Sequence, residues 1–309
     1  MKTSEKEIIN ILLSTYNGSQ YLEELITSVL KQECVTVHLF IRDDGSTDKT
    51  KAILNKYRNL NEIQIEFGEN IGWRRSFMKL IQKVPYQKEQ FYAFADQDDV
   101  WEPLKIMHAI EKLDTSKPAV YHSNMTLVDN QMNFISYKYD KDFLPSSKIP
   151  NAFFDGIGTG ATMVFNSKML KLLQQYTPTA ATAHDAYVLA LANLVGKTVY
   201  DSNSYILYRR HNNTATGFGG NKVSKSPSLL MRFKRYRRSM KRPYSIRAYQ
   251  ILQGYKNILD ESDRNILKYI SNYRSNIYDK FYLLFSPKIR ATGLRQTLQI
   301  KYRIFFNTL

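Results

Sequence analysis

IINILLSTYNGSQYLEELITSVLKQ, residues 8–32, holds a short apolar run rich in branched side chains, then the turn signal TYNGSQ, then a stretch with apolar residues at helical spacing. It reads as strand, loop, helix. The same unit follows three more times. VTVHLFIR (35–42) is a strand, DDGSTD a turn in which Ser46 or Thr47 can cap a helix, and KTKAILNKY that helix. IQIEF passes through GENIG into a helix from Trp73 to Val84. FYAFA passes through DQDD into a helix near Pro103, where proline suits a first turn. Four successive units predict an α/β fold with a mainly parallel sheet flanked by helices on both faces. In such sheets the ligand crevice lies beyond the carboxyl ends of the strands.

The composition agrees with a packed globular chain. Of 309 residues, 43% are hydrophobic and 23% charged, which argues against disorder and low-complexity repeats. A length of this order accommodates two units. The only cysteine, Cys34, can form no intrachain disulfide, and MKTSEKEIIN lacks the apolar stretch of a signal peptide; both point to the cytoplasm. FYLLF at 281–285 is far shorter than the roughly 20 apolar residues that span a bilayer.

The net charge of +16 is unevenly spread. Residues 1–220 hold 24 basic and 24 acidic side chains, whereas residues 221–309 hold 20 basic and 4 acidic. Two regions are therefore expected, a charge-balanced body (1–220) and a basic helical C-terminal region (221–309). Within the latter, LLMRFKRYRRSMKRPYS carries seven basic residues between Arg232 and Arg242, with Leu229, Phe233, Tyr236 and Met240 at helical spacing. That pattern suits either a helix lying on an anionic membrane surface or a solvated basic helix docked on its own domain. Tyr269, Tyr273, Tyr278, Phe281, Tyr282, Tyr302, Phe305 and Phe306 add rings that serve a membrane boundary or an ordinary core.

The loops beyond the predicted strands carry the chemistry. TYNGSQ, RDDGSTD, GENIGWRR and ADQDDVW are rich in carboxylates and amides, although Asp and Gly are also common turn formers. Alternation along a strand lets Asp96 and Asp98 face one target. Three acids in four residues repel one another unless a cation neutralises them, and hard oxygen ligands favour Mg2+ or Mn2+ completed by substrate phosphates. The competing explanation is an acidic helix N-terminus.

Taken in order, STYNGSQYL, RDDGSTD, NIG and DQDDVW resemble the inverting bacterial family 2 glycosyltransferases of the Rossmann-like GT-A fold. DQDDVWEPLKI, GTGATMVFN, HDAYVLALANLVGK and YRRHNNTATG are most similar to its rhamnosyltransferase-like subgroup. The resemblance covers about residues 8–217; beyond 221 it implies only a basic helical extension.

It implies that Thr15 and Asn17 border a nucleotide pocket, that Asp44 binds base or ribose with Asp43 supporting, and that Asp96 contacts the ribose. Asp98 would hold the metal, with Asp99 an alternative ligand and His211 able to complete the shell. Arg75 would approach the phosphates, although an exposed helix arginine explains it equally well. Asp185 would be the base that deprotonates the acceptor hydroxyl, with His184 orienting the site or contacting acceptor. Arg209 would stabilise charge on the leaving diphosphate. Gly156, Gly158 and Gly160 are too irregular for a dinucleotide fingerprint and look like a loop admitting acceptor. Arg210 stands where the subgroup commonly has glutamine, and Ala186 where relatives often have an aromatic.

The function implied is inverting, metal-dependent transfer of a sugar, L-rhamnose from dTDP-L-rhamnose first and a UDP-hexose second, to a growing, lipid-linked cell-surface polysaccharide. The enzyme would sit peripherally on the inner face of the membrane through its basic region. A nucleic-acid-binding protein would explain the basic tail but not the acidic loops, which repel a phosphate backbone. A nucleotidyltransferase could use similar acids, but the N-terminal stretch has no glycine- and lysine-rich signature.

Overall fold

In the computed structural model the described residues are 6–210 and 242–309. His211 and the basic stretch up to Lys241 lie outside them, so the metal role implied for His211 and the interfacial helix expected there have no structural counterpart to describe.

The four expected units are present. β1 (Glu7–Thr15), α1 (Leu22–Leu30), β2 (Val35–Asp43), α2 (Thr50–Lys56), β3 (Ile63–Phe67), α3 (Trp73–Lys83) and β4 (Phe91–Asp96) build a parallel sheet in the order β3-β2-β1-β4. A two-residue strand β5 (Val100–Trp101) precedes α4 (Lys105–Lys112). Beyond β4 the sheet becomes mixed. β6 (Ala119–Val128), β7 (Phe134–Tyr137), β8 (Val164–Asn166) and β9 (Lys197–Arg209) extend it, with β8 antiparallel to both β4 and β6 and β9 parallel to β6. Between them lie α5 (Asn151–Asp155), α6 (Ser167–Leu173) and α7 (His184–Val195).

Alternation along β1 explains why the sheet is covered twice. Leu12 enters one core with Phe77, Phe94 and Tyr187, while Ile11 and Leu13 enter the other with Leu22, Ile26 and Ile106. A strand buried on both faces reads as a continuous apolar run, as ILL does. The expected cap on α2 is absent. Ser46 turns inward instead, donating its Oγ proton to Asp43 Oδ1 at 2.5 Å.

The C-terminal extension is helical: α8 (Pro243–Tyr255), α9 (Glu261–Asn272), α10 (Ile277–Phe285) and α11 (Leu294–Phe305). Its apolar side chains join the first core. Ala248, Ile251, Tyr255, Leu267, Ile270 and Ile304 cluster with Phe153, Leu172 and Leu191. The change in charge after residue 220 therefore does not coincide with a change of core. Among the described residues no helix is long and apolar enough to cross a membrane.

Candidate active site

The loops that follow β1, β2 and β4, with the turn before α3, meet at one end of the parallel sheet. Asp43 and Asp44 are the posts on which they hang, and both are almost fully buried. Asp43 accepts bonds from Thr15 Oγ1 (3.1 Å), Ser46 N (3.0 Å) and Ser46 Oγ. Asp44 pairs with Arg42 and accepts the backbone N–H of Ile71 (2.9 Å) and Gly72 (2.8 Å), so it closes the NIG turn. Asn17 adopts a left-handed φ of 47° and binds the β2 loop twice, giving its N–H to Ser46 Oγ and receiving that of Thr47. The acids expected to meet a nucleotide are also the ones that shape the loops around it.

Gln97 of the DQDD motif crosses to the first loop. Its Oε1 accepts Tyr16 N (2.8 Å) and its Nε2 donates to Tyr16 O (3.1 Å). Gly18 makes that approach feasible, since a Cβ there would stand 2.3 Å from Oε1.

Asp96, Asp98 and Asp185 occupy one electrostatic neighbourhood. The Asp96 carboxyl is pushed up to about 7, first by desolvation and then by the negative charges of Asp98 and Asp185. Asp185 sits half-buried in the first turn of α7, where its Oδ1 accepts the N–H of Ala186 (2.6 Å) and the helix dipole favours a negative charge. Two guanidinium groups act on it electrostatically: Arg74 of α3 and, from the C-terminal extension, buried Arg247 of α8. Residue spacing gave no hint of Arg247, because only folding brings α8 to this side. Arg74 feels the negative charge of Asp185, which opposes the effect of its burial. It stacks 4.3 Å from the Trp73 ring centre and borders a cavity of about 350 Å³ between α3 and residues 177–181, which Arg75 and Lys79 also line.

Four further expected site residues, Asp99, Arg209, His184 and Gly160, are buried. Asp99 is 1% exposed and lies beneath the crevice; its Oδ1 accepts Arg209 N (3.3 Å). Burial pushes its carboxyl up and pushes the neighbouring Lys105 down to about 7, with the Lys105 Nζ 3.6 Å from the Trp101 ring centre. Asp99 and Lys105 are thus buried near one another without a direct hydrogen bond, and the motif gives the crevice two carboxylates. Arg209, expected beside the leaving diphosphate, is 2% exposed and committed elsewhere. It donates to Asp98 O (3.0 Å), Asn130 O (3.0 Å) and Glu24 Oε2, and lies 4.3 Å from the Tyr21 ring centre. It holds the backbone of Asp98 in place, which makes it a positioning residue.

His184 is buried in an aromatic box, stacked on Phe77 at 3.9 Å and edge-on to Phe94 and Trp73. Burial pushes its imidazole down to about 4, so it is neutral at physiological pH. Of the two roles expected for it, the ring packing bears on orientation, since it fixes the start of α7 next to Asp185. Gly160 serves that packing, because a Cβ there would stand 2.4 Å from His184 Nε2. Gly158 likewise meets Leu189 and Met163, whereas a Cβ at Gly156 would meet nothing within 4 Å, so the segment is packed at Gly158 and Gly160 and open at Gly156.

Among the described residues no three acids, histidines or cysteines converge on a metal position. Asp96 and Asp98 would still offer a divalent cation two hard oxygen ligands, to be completed by phosphate oxygens.

Parallel strands ending in an acidic crevice, with a half-buried carboxylate at a helix N-terminus facing it, define a GT-A transferase architecture. The description glycosyl transferase family 2 matches residues 10–170, and the chain belongs to that family. It is 28% identical over 252 residues, 74% of this chain and 82% of the relative, to the dTDP-rhamnosyl transferase RfbG of Shigella flexneri. Over 141 residues, 45% of this chain and 49% of the relative, it is 28% identical to an Escherichia coli protein, the UDP-Glc:alpha-D-GlcNAc-diphosphoundecaprenol beta-1,3-glucosyltransferase WfaP. Among solved structures, Staphylococcus aureus TarS 1-349 superposes with a TM-score of 0.56 at 17% identity, covering 97% of this chain and 78% of that one. TarS has also been solved with UDP-GlcNAc, matching at the same TM-score over 81% of its chain.

Proposed function

We propose that this family 2 glycosyltransferase moves L-rhamnose, with inversion, from dTDP-L-rhamnose to a lipid-linked surface glycan at the inner face of the membrane. The observation that carries the site assignment is the packing of His184, at the start of α7, edge-on against Phe94 of β4 at 4.6 Å between ring centres. It sets the next residue, Asp185, beside the strand end that leads into Asp96 and Asp98. The donor is supported by the Shigella relative's name, and the lipid-linked acceptor by that of the Escherichia coli relative. A UDP-hexose is the second donor, on the UDP-GlcNAc complex of TarS.

Thr15, Asn17, Asp43 and Asp44 form the nucleotide end of the pocket, and Asp96 the ribose contact. Arg75 reaches toward the phosphates. Asp98 and Asp96 would hold Mn2+ or Mg2+, which supplies positive charge to the diphosphate. The acceptor oxygen forms its bond to the anomeric carbon as that carbon's bond to the diphosphate oxygen breaks. The bonding pair leaves with the diphosphate, and the hydroxyl proton passes to Asp185. Arg74 and Arg247 lie within electrostatic reach of Asp185, while the rings around His184 fix where the start of α7 stands.

The deciding experiment compares Asp185→Asn with Asp98→Asn. Asp185→Asn retains dTDP-rhamnose binding and loses transfer; Asp98→Asn loses Mn2+-dependent donor affinity. Loss of donor binding in Asp185→Asn, with folding intact, would remove its role as base.

A further inference from the structure

Ten large apolar side chains are exposed within residues 277–306, which are the last two helices and their connection. On α10 they are Ile277, Tyr278, Phe281, Tyr282 and Phe285, and on α11 they are Leu294, Leu298, Tyr302, Phe305 and the following Phe306. Tyr278 is 82% exposed, Phe285 73%, Leu294 77% and Phe305 61%. The two helices bury only Leu283, Ile300 and Ile304, so each has an inner apolar stripe and a second one facing outward. An outward stripe of this size on a soluble surface marks a contact surface.

The stripes join. Lys280 of α10 donates to Asn307 Oδ1 at 3.0 Å with its Nζ 6.0 Å from the Phe305 ring centre, tying the aromatic side of one helix to that of the other. Phe281 stacks with Phe285, and Phe306 packs on both Tyr302 and Phe305. Charge around the stripes has one sign. Residues 277–309 contain six Lys and Arg against the single acid Asp279, and Lys288, Arg290 and Arg295 are exposed in the connection and the first turn of α11.

We infer that the outward face of α10 and α11 lies on an anionic lipid bilayer, its rings in the headgroup region and Lys288, Arg290 and Arg295 against lipid phosphates. The inference rests on the proposed action at a membrane and names the surface that makes it. A second copy of the chain fits less well, since pairing this face with itself would bring like charges together without acids to balance them. The segment between the two helices is also fastened to α5. Thr292 gives its N–H (2.9 Å) and hydroxyl proton (2.5 Å) to Asp155, at the end of α5, and Arg247 and Tyr244 of α8 donate to the Phe153 and Phe154 carbonyls. Docking of α10 and α11 thereby fixes how α5 meets the bilayer.

The test is flotation of the full chain with equimolar phosphatidylcholine–phosphatidylglycerol vesicles and with pure phosphatidylcholine, beside thermal unfolding and sedimentation velocity. Combining Phe281→Ser, Phe285→Ser and Phe305→Ser should lower binding to the anionic vesicles about 10-fold or more, with Tm and nucleotide-sugar hydrolysis unchanged. Combining Lys288→Gln, Arg290→Gln and Arg295→Gln should abolish most of the preference for anionic vesicles. Unchanged binding in the aromatic variant overturns the inference, and a lowered Tm with that binding unchanged assigns the face to an intramolecular cover. A dimer that the aromatic variant dissociates, with no vesicle binding by either protein, assigns it to a second copy. Hydrolysis of dTDP-rhamnose without vesicles reports separately on the enzymatic proposal, so either idea can fail alone.

Discussion

The crevice and the C-terminal helices use charge in opposite ways. Around the crevice, Asp43, Asp44, Asp99, Arg42 and Arg209 are buried and committed to named partners, and the acids that remain crowd one another. On α10 and α11 the charges are exposed cations beside exposed rings. Buried ionic groups must be satisfied and so fix geometry, whereas exposed ones contribute little to stability and serve encounters. The proposed catalytic placement and the proposed surface attachment thus draw on different physics.

The sharpest test of this contrast is at Asp185. Its replacement by Asn should lower transfer about 1,000-fold, read from initial rates at saturating donor, because a positioned base contributes on the order of 10²–10⁴. An equal loss from any single exposed substitution on α11 would break the comparison. Arg209→Met comes next: it orphans the carbonyls of Asp98 and Asn130 and should cost about 2–4 kcal/mol in urea unfolding. It should also raise the KM for donor. Gly160→Ala drives a methyl group against His184 and should cost about 1–3 kcal/mol by the same measurement, with a fall in kcat as Asp185 shifts.

The smallest effect is a slope. His184 and His122 are both held near 4 by burial, below the ordinary 6.5, so the unfolded chain takes up protons between those values that the folded chain refuses. Their contribution to stability is present above pH 6.5 and is lost as pH falls toward 4. His184→Phe, which keeps the aromatic box, should remove about one proton from the acid-side slope of unfolding free energy against pH. An unchanged slope would mean that His184 does not stay neutral in the fold.

Much of this was legible in the sequence because strand–loop–helix units announce themselves locally. The parallel order β3-β2-β1-β4 follows from apolar runs broken by Gly- and Asp-rich turns, and the acids after β4 stand where a parallel sheet puts its ligand. Less legible was the direction each side chain takes. Asp98 and Asp99 are neighbours in sequence, yet past the turn at Gln97 and Asp98 the second acid is buried, its Oδ1 accepting Arg209 N. Arg209 looked like an anion ligand because its partners, Glu24 and the Asp98 carbonyl, are 185 and 111 residues away. Arg247 was invisible for the same reason, since a helix in a basic tail carries no mark of which strand end it will face. The mixed half of the sheet also escaped, because three-residue β8 is too short to show a period.

The side-chain amide of Gln97 bonds both the N–H and the carbonyl of Tyr16, as a backbone peptide group would. It acts as a surrogate rung, continuing the β1–β4 ladder past its last paired residues, Ser14 and Asp96. The loop expected at the nucleotide and the loop expected at the diphosphate are therefore one mechanical piece. On the proposed function, a donor that shifts either one moves the other, which would link recognition of the base to alignment of the leaving group before any acceptor arrives.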